Sequence, residues 1–398
     1  MKILEDMVRL FILWTCLLCL ACGGTNGPFE FIRGADLVVQ DILDDEVRTH
    51  EGILRGVNWD RNEAYILTRQ DDTHTISIVD LEHNTVVNAL HLRRGDSQPP
   101  TETANPSHVS YLEGRYYIID VSEKMLVYDQ NLSYLHTVMF KDFMPEHFVK
   151  VFSHTGRPHM LIGRYHLDFQ GIRCSVEIHE VMDTKRLRRE NIHVLRHKLS
   201  MDARAYRDRN YILGKLWSSS WGFEKEGKIY FGHGGENRYW VYDIETQLLS
   251  GVKPEILKGR RYADEDAEKI VFDIFQQRDM YERLRRRHGS THKFVAYPDA
   301  LYHTGIFDIG RDRIGFAGDL DLERMVFRLD IVNIRTHEYE KSIWLPVSSG
   351  FLQHLDMTYT GGLDTYINID KNIHVYTERD PEEGLSFVKI HRFRFAGE

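Results

Sequence analysis

The sequence predicts an all-β protein made of six repeats of a four-stranded antiparallel sheet. A unit of three strands joined by two polar turns recurs along the chain, and one more short strand precedes each unit. The clearest copy is Gly114–Phe140. Its aromatic and β-branched run Tyr116–Asp120 predicts a strand, Ser122–Lys124 a turn, Met125–Tyr128 a second strand and Tyr134–Phe140 a third.

The other copies of this unit are recognised by their first strands. These strands are Ala64–Thr68, His159–Gly163, Gly227–Phe231, Arg313–Ala317 and Thr365–Ile369. An aspartate falls at the second turn of four copies: Asp80, Asp129, Asp243 and Asp330. Because a carboxylate in a turn accepts hydrogen bonds from nearby backbone amides, we expect all four to cap turns.

The short strands that precede the units set the architecture. They are Leu54–Trp59, His108–Leu112, Phe148–Phe152, Ser218–Phe223, His303–Ile309 and Leu355–Tyr359. Six units of four strands is the arrangement of a six-bladed β-propeller, whose inner strands line a central channel. An open ring would leave two exposed sheet edges, so we expect Leu37–Ile42 to complete the sixth blade. Seven blades are the alternative, since Val194–Leu216 is long enough to hold further strands.

This strand pattern resembles the broad superfamily of six-bladed TolB-like or NHL-like propellers, several of which are bacterial envelope lipoproteins. The resemblance covers nearly all of the chain after the leader and depends on the degenerate repeats quoted above. It implies the propeller fold. It does not imply an activity, because one fold hosts many functions.

One segment, Asp264–His288, departs from the β pattern. Its apolar residues recur at helical spacing: Ala267, Ile270, Val271, Ile274, Phe275, Tyr281 and Leu284. Its first turn is acidic and its last turn is basic, which complements a helix dipole, and Gly289 follows as a stop. We expect a helical insertion at 262–290, between the fourth and fifth blades.

The N-terminus has the pattern of an export leader. The apolar run Leu10–Ala21 is too short to span a membrane and has the length of a signal-peptide core. It ends in Leu-Ala-Cys, which resembles a bacterial lipoprotein box and implies that Cys22 carries lipid. We therefore expect a signal peptide at 1–21, a flexible tether at 22–28 and the propeller at 29–398, in a protein anchored in the bacterial cell envelope, either periplasmic or surface-exposed.

Composition limits the classes of partner. The net charge of -9 argues against nucleic-acid binding, which needs clustered Lys and Arg. After cleavage of the leader, Cys174 would be the one cysteine left in the folded body, so no disulfide is expected within it. We expect a monomer that meets the membrane only through its N-terminal lipid.

Histidines and tryptophans near the inner strands are the candidate ligand-binding residues. They are His108, His147, His303 and His354, with Trp217 and Trp221 in the same region of the fourth blade. Because inner strands line the channel, these side chains would converge on one mouth of it. A divalent metal is one interpretation, since neutral imidazole is a common ligand. A metal-free ligand site is the second, and chance placement of histidines at half-exposed strand starts is the third.

No standard catalytic motif is present in the sequence. It contains no phosphate-binding glycine loop, no HExxH pair, no nucleophile elbow and no paired-cysteine zinc motif. We predict a non-enzymatic, envelope-anchored scaffold that binds a protein or glycan partner. The alternative is a metal-dependent lyase or hydrolase at the channel mouth, for which the histidines are the only support.

Overall fold

The computed structural model of the chain describes the parts of it that form the sheets. They are residues 39–40, 42–93, 103, 105–120, 124–139, 148–168, 171–181, 187–188, 197–198, 222–232, 238–254, 305–321, 324, 326–346, 365–379 and 385–396. All belong to one unit, Ile32–Glu398. These residues contain no helix, so none that is long and apolar enough to cross a membrane. The predicted leader, tether and helical insertion lie outside them and stay predictions.

The strands form six sheets, numbered here as blades in chain order. Two strands precede the first blade, β1 (Val39–Gln40) and β2 (Ile42–Glu51). Blade 1 contains β3 (Ile53–Asn58), β4 (Glu63–Gln70), β5 (Thr73–Asp80) and β6 (Thr85–Arg93). Blade 2 contains β7 (Pro106–Leu112), β8 (Arg115–Asp120), β9 (Lys124–Asp129) and β10 (Tyr134–Met139). Blade 3 contains β11 (Phe148–His154), β12 (Arg157–Asp168), β13 (Gly171–Val181), β14 (Leu187–Arg188) and β15 (His197–Lys198).

The second half of the chain completes the ring. Blade 4 contains β16 (Phe223–Lys225), β17 (Lys228–Gly232), β18 (Tyr239–Asp243) and β19 (Leu249–Val252). Blade 5 contains β20 (Gly305–Gly310), β21 (Arg313–Asp321), β22 (Val326–Asn333) and β23 (Tyr339–Pro346). Blade 6 contains β24 (Thr365–Asn368), β25 (Ile373–Arg379) and β26 (Ser386–Phe395), with β2 as its outermost strand. The prediction of a six-bladed propeller is confirmed.

Ring closure differs from the prediction in the strand that performs it. The closing strand is β2, which pairs antiparallel with β26 along its length. Within the predicted Leu37–Ile42, Val39–Gln40 instead adds to blade 5, in parallel with β23. Closure needs a strand that covers the whole open edge, and β2 and β26 each have 10 residues. Because β2 supplies the outer strand, the inner strand of blade 6 is β24, and the predicted Leu355–Tyr359 lies outside the described residues.

The hydrophobic core lies between neighbouring blades, because side chains along a strand alternate between the two faces of its sheet. In β8, Tyr117 packs toward blade 3 with Met160, whereas its neighbour Ile118 packs toward blade 1 with Tyr65. Further apolar clusters join blades 3 and 4, blades 4 and 5, and blades 6 and 1. Among the described residues, apolar clusters therefore fill five of the six seams between blades.

The turns between the first two strands of blades 2, 3 and 4 share a sequence pattern. They are Glu113-Gly114, Thr155-Gly156 and Glu226-Gly227, and all six residues have φ between 50° and 77°. Two consecutive left-handed residues form the tight hairpin turn that suits the right-handed twist of strands. These turns therefore fix where each inner strand ends.

The aspartate prediction is confirmed for three blades and wrong for the fourth. Backbone amides donate to Asp80 from Glu82 at 2.7 Å, to Asp129 from Asn131 at 2.9 Å and to Asp243 from Thr246 at 2.8 Å. Asp330 instead lies inside β22, where its carboxylate accepts a hydrogen bond from Arg328 Nε at 2.7 Å. Because β22 runs on through two apolar residues, Asn333 takes the turn position in blade 5 and accepts from the amide of Arg335.

Candidate binding cavity at the centre of the ring

A cavity of about 180 Å³ lies where the innermost strands of the blades meet. All six blades contribute to its wall. The lining residues are Val57, Asn58 and Trp59; His108, Val109, Ser110 and Tyr111; Val151; Gly222 and Phe223; Ile306, Phe307 and Asp308; and Thr365, Tyr366 and Ile367. A cavity of about 150 Å³ accommodates a benzene ring. The volume therefore suits one ring-sized molecule or the end of a larger one.

Aromatic side chains from five blades form much of this wall: Trp59, Tyr111, Phe223, Phe307 and Tyr366. Their positions are set by the cores between blades. Trp59 and Tyr366 also pack against the cluster that joins blades 6 and 1, and Tyr111 against the one that joins blades 1 and 2. Because core residues hold these three rings on one side, this part of the wall is formed before any ligand arrives.

His108 and Ser110 are polar residues on one face of β7. They are two residues apart in the strand, so their side chains point the same way, and His108 Nε2 lies 2.9 Å from Ser110 Oγ. Both residues line the cavity, and His108 is buried. This pair places an imidazole and a hydroxyl side by side in the wall contributed by blade 2.

Asn58 holds the mouth of the cavity together. Its Nδ2 donates to the carbonyl oxygen of Tyr111 in blade 2 at 3.1 Å. Its Oδ1 accepts from the backbone amides of Asp60 and Arg61, each at 3.1 Å. Most of the hydrogen-bonding capacity of this amide is thus used within the protein, which makes Asn58 a positioning residue.

Asp308 is the carboxylate in the described lining, and its charge is balanced. Lys225 Nζ of blade 4 lies 2.6 Å from Asp308 Oδ1 of blade 5. The same ammonium group donates to the carbonyl oxygen of Gly310. The Lys225 side chain is 12% exposed and that of Asp308 is 33% exposed, so the pair is only partly shielded from water. This ion pair joins two blades at the edge of the cavity and leaves little net charge there.

Thr365 contributes a buried hydroxyl to the wall. It is 3% exposed, and its Oγ1 has no hydrogen-bond partner among the described residues. Its strand β24 is the inner strand of blade 6, and the neighbouring Tyr366 and Ile367 line the same cavity. A buried hydroxyl with no hydrogen-bond partner is costly, so a hydrogen bond to this group would be favourable.

A stacked group of charged and aromatic residues lies beside Tyr111. The guanidinium of Arg61 lies 4.2 Å from the ring centroid of Tyr111. Glu63 holds that guanidinium at 2.9 Å, and this interaction raises the pKa of Arg61 further above its usual value. Tyr116 packs edge-on behind Tyr111 at 4.7 Å, and burial raises the pKa of Tyr116 to about 12. Tyr111 is therefore held between a cation and a neutral phenol ring.

Polar contacts between blades surround the same mouth of the channel. Besides Asn58 to Tyr111 and Lys225 to Asp308, they include Ser153 to Glu113 at 2.5 Å, Arg313 to Asp370 at 2.8 Å and Lys371 to the Trp59 carbonyl at 2.5 Å. These contacts lie at or just beyond the ends of inner strands, and within the described residues they cross five of the six seams. Side chains that reach across these five seams thus hold the rim in place.

The structure describes one of the predicted ligand-binding residues, and the ligand-binding role of all six stays a prediction. His108 lies in the cavity wall. His147, His303, His354, Trp217 and Trp221 lie outside the described residues, as does Cys22, so their convergence and the lipidation stay predictions. In the part of the chain that the structure describes, no group of three or more His, Cys, Asp and Glu side chains is placed to hold a metal ion. The divalent-metal interpretation therefore stays a prediction too.

Sequence reasoning missed most of the lining that the structure shows. Trp59, Tyr111 and Asp308 all lie in or at the end of strands that the pattern predicted as inner strands. Their position on these strands could therefore have identified them as lining residues. The sequence prediction instead selected histidines and tryptophans of the same region. Thr365 had no such signal, because the pattern predicted its strand as the second strand of blade 6.

Six blades of four or five strands, closed by an N-terminal strand around a central cavity, define the chain as a six-bladed β-propeller. No family model and no curated protein sequence matches it. Among solved structures it is similar to a DUF4221 family member from Bacteroides vulgatus, with 9% identity over 89% of this chain and 98% of that one and a TM-score of 0.48.

Two further solved structures show the same level of similarity. One is a protein from Bacteroides fragilis provisionally described as exported, with 10% identity over 90% of this chain and 100% of that one and a TM-score of 0.44. The other is a luciferin-regenerating enzyme, with 8% identity over 87% of this chain and 95% of that one and a TM-score of 0.41. At these values the similarities carry no conclusion about ligand, activity or location.

Proposed function

We propose that the protein is a non-enzymatic binding scaffold of the bacterial cell envelope, which holds part of a protein or glycan partner in its central cavity. The cavity carries this proposal, because it is concave, mostly apolar and furnished with a few convergent polar groups. Sites of that form are where ligands usually bind.

The rigidity of the wall supports a binding role. Core packing fixes Trp59, Tyr111 and Tyr366, and the contacts between blades fix the rim. A site formed in advance loses little conformational entropy when a ligand binds, so more of the contact energy appears as affinity. The cavity thus suits recognition of a small, defined group.

The proposal includes a lipid anchor at Cys22, supported by the apolar leader that ends in Leu-Ala-Cys. The described chain begins with β1 and β2, which lie at the outer edges of blades 5 and 6. A tether from this edge would leave the channel open. The residues from Cys22 to Val39 reach on the order of 60 Å when extended.

Replacing Cys22 by Ser should release the protein from the membrane fraction with its unfolding curve unchanged. A variant that stays membrane-bound would contradict the anchor.

A cavity-filling variant tests the binding role. Ser110→Trp places an indole in the cavity, and Ser133→Trp, in an exposed turn of blade 2, is the matched control. The full chain and both variants would be applied to a glycan array and cross-linked to envelope extract. We expect the wild type and Ser133→Trp to retain the same partner in one of these assays and Ser110→Trp to lose it.

Two results would contradict the scaffold. One is binding that is equal in all three proteins or absent from both assays. The other is chemical turnover of the bound partner by the purified protein, which would place the protein among enzymes.

A further inference from the structure

We infer that the cavity recognises an uncharged, hydroxylated ring, of the kind found in a neutral monosaccharide at the end of a glycan. This inference rests on the proposed binding function and names the ligand class of the same site. It depends on the volume of the cavity, on the charge of its lining and on the hydroxyl of Thr365, which has no hydrogen-bond partner among the described residues.

The dimensions of the cavity set the first limit. Its volume of about 180 Å³ is slightly above that of a cavity that holds benzene. A single six-membered ring with its substituents is therefore the scale of group that fits. Apolar side chains such as Val109, Val151 and Ile367 complete the wall between the aromatic residues.

The charge of the described lining sets the second limit. Asp308 is already paired with Lys225 at 2.6 Å, and the other polar groups of the wall are an amide, an imidazole, an indole N–H and four hydroxyls: Asn58, His108, Trp59, Ser110, Tyr111, Thr365 and Tyr366. A charged ligand would lose its hydration without gaining an uncompensated opposite charge from these residues. Burying a charge without a partner is expensive, so the described wall favours neutral ligands.

The aromatic wall suits the apolar face of a sugar ring. Trp59, Tyr111 and Tyr366 come from three successive blades around the ring, namely blades 1, 2 and 6. The faces of such rings carry negative partial charge and attract the positively polarised C–H groups of a sugar. Hydroxyl groups at the edge of the same ring need hydrogen-bond partners, which hydroxyl and imidazole side chains supply.

Thr365 is the independent observation that points to a ligand. Its side chain is more than nine-tenths buried, lines the cavity and has an Oγ1 without a hydrogen-bond partner in the described part of the chain. Oγ1 itself is covered in the free protein, so a sugar hydroxyl would complete its hydrogen bonding once the Thr365 side chain turns toward the cavity. Replacing Thr365 by Val removes the hydroxyl while nearly keeping the shape of the side chain. Because Oγ1 makes no hydrogen bond to the described residues, the change should leave the stability of the free protein unaltered or slightly higher.

The experiment measures sugar binding to the full chain by saturation-transfer NMR and calorimetry. The probes are glucose, galactose, mannose and N-acetylglucosamine, with glucuronate, galacturonate and glucosamine as charged counterparts. Thr365→Val is compared with Thr49→Val, an exposed threonine on the outer strand β2. We expect at least one neutral sugar to bind more tightly than its charged counterpart. We expect a loss of about 5- to 10-fold in affinity for Thr365→Val, equivalent to one hydrogen bond, and none for Thr49→Val.

The outcomes separate this inference from the function on which it rests. The inference is overturned if a charged sugar binds better than its neutral counterpart, if Thr365→Val binds like the wild type, or if no sugar of the panel binds. The scaffold proposal survives any of these results when Ser110→Trp still abolishes retention of a partner. Both fail if binding persists unchanged in Ser110→Trp.

Discussion

The imidazole rings of His374 and His391 lie 6.4 Å apart, centroid to centroid, inside blade 6. The two residues are opposite each other on β25 and β26, and each is 1% exposed. Tyr376 lies 4.5 Å from the ring of His374, and Phe327 of blade 5 lies 6.2 Å from it. Two titratable rings are thus enclosed by aromatic side chains in the blade that joins the two ends of the chain.

This arrangement predicts that acid destabilises the fold. Burial, and then the nearby His391, holds the pKa of His374 well below its usual value. Below about pH 6.5, the usual pKa of histidine, the unfolded chain therefore binds a proton that the folded protein does not. The contribution of His374 to stability is complete above that pH and is lost as the pH falls toward the folded-state pKa. Urea unfolding measured at intervals from about pH 7.5 to about pH 5 should show the free energy of unfolding decline.

A variant isolates the share of His374 in that decline. His374→Phe keeps an aromatic ring but cannot titrate, so below about pH 6.5 its free energy of unfolding should fall less steeply, by up to about 1.4 kcal/mol for each pH unit. His83→Gln is the control, because His83 is exposed and Asp80 raises its pKa, which gives the opposite sign. A His374→Phe curve parallel to the wild-type curve would show that this histidine does not cause the decline.

Asp330 and Asp80 should differ in what their removal costs. Asp330 is buried with Arg328, which donates two hydrogen bonds to it, and accepts a third from Ser342 Oγ at 2.6 Å. Asp330→Ala removes the carboxylate that faces a buried guanidinium and should cost about 3–5 kcal/mol of stability. Asp80→Ala removes only an exposed turn cap and should cost about 1 kcal/mol. Chemical denaturation of both variants checks this, and equal losses would contradict the buried role of Asp330.

Gly56 should be intolerant of a side chain because blades 1 and 2 approach closely there. A Cβ at this position would lie 2.1 Å from the backbone oxygen of Val109. Gly56→Ala must therefore move the backbone of an inner strand, at a cost of about 1–3 kcal/mol. Gly114→Asn is the control, because that turn has open space and a left-handed conformation that Asn adopts readily. The close approach is refuted if thermal unfolding places both variants at the wild-type midpoint.

The N-terminal strand should be essential for the ring, unlike the residues before it. Deleting residues 1–51 removes β1 and β2 and exposes the edge of β26, so we expect loss of cooperative unfolding or association between copies through that edge. Deleting residues 1–38 keeps both strands and should preserve a single cooperative transition. Calorimetry and light scattering on the two truncated chains distinguish these results. A cooperative monomer after removal of residues 1–51 would mean that β2 does not close the ring.

The repeated blades could be predicted because each carries its own local pattern. In Gly114–Phe140 the alternating apolar residues and the turn residues agree, and the observed strands fall within a residue or two of the prediction. The closing strand β2 carries no such pattern. Its sequence, Ile42–Glu51, is rich in acidic and polar residues that are uncommon in strands. Pairing with β26 makes it a strand, and that partner lies more than 300 residues away in sequence.

The candidate site was predictable in location but only partly in composition. Inner strands were expected to line a channel, and Trp59, Tyr111 and Asp308 lie on or at the end of such strands. Which side chains reach the channel depends on bulges and on the packing of neighbouring blades, which no local pattern records. The register shift in β7 between Pro106 and His108 is one such case, since it changes which residues of that strand face the channel.

The central claim is that side chains from separate blades form one binding cavity, and methyl NMR tests it most directly. Val57, Val109, Val151, Ile306 and Ile367 line the cavity from five different blades. Adding the tightest-binding neutral sugar of the panel should shift the methyl signals of all five together. The exposed Val86 on the outer strand of blade 1 should stay unchanged. Shifts confined to one blade or to Val86 would contradict the account of one shared cavity, and the absence of any shift with every sugar would contradict its assignment to a neutral sugar.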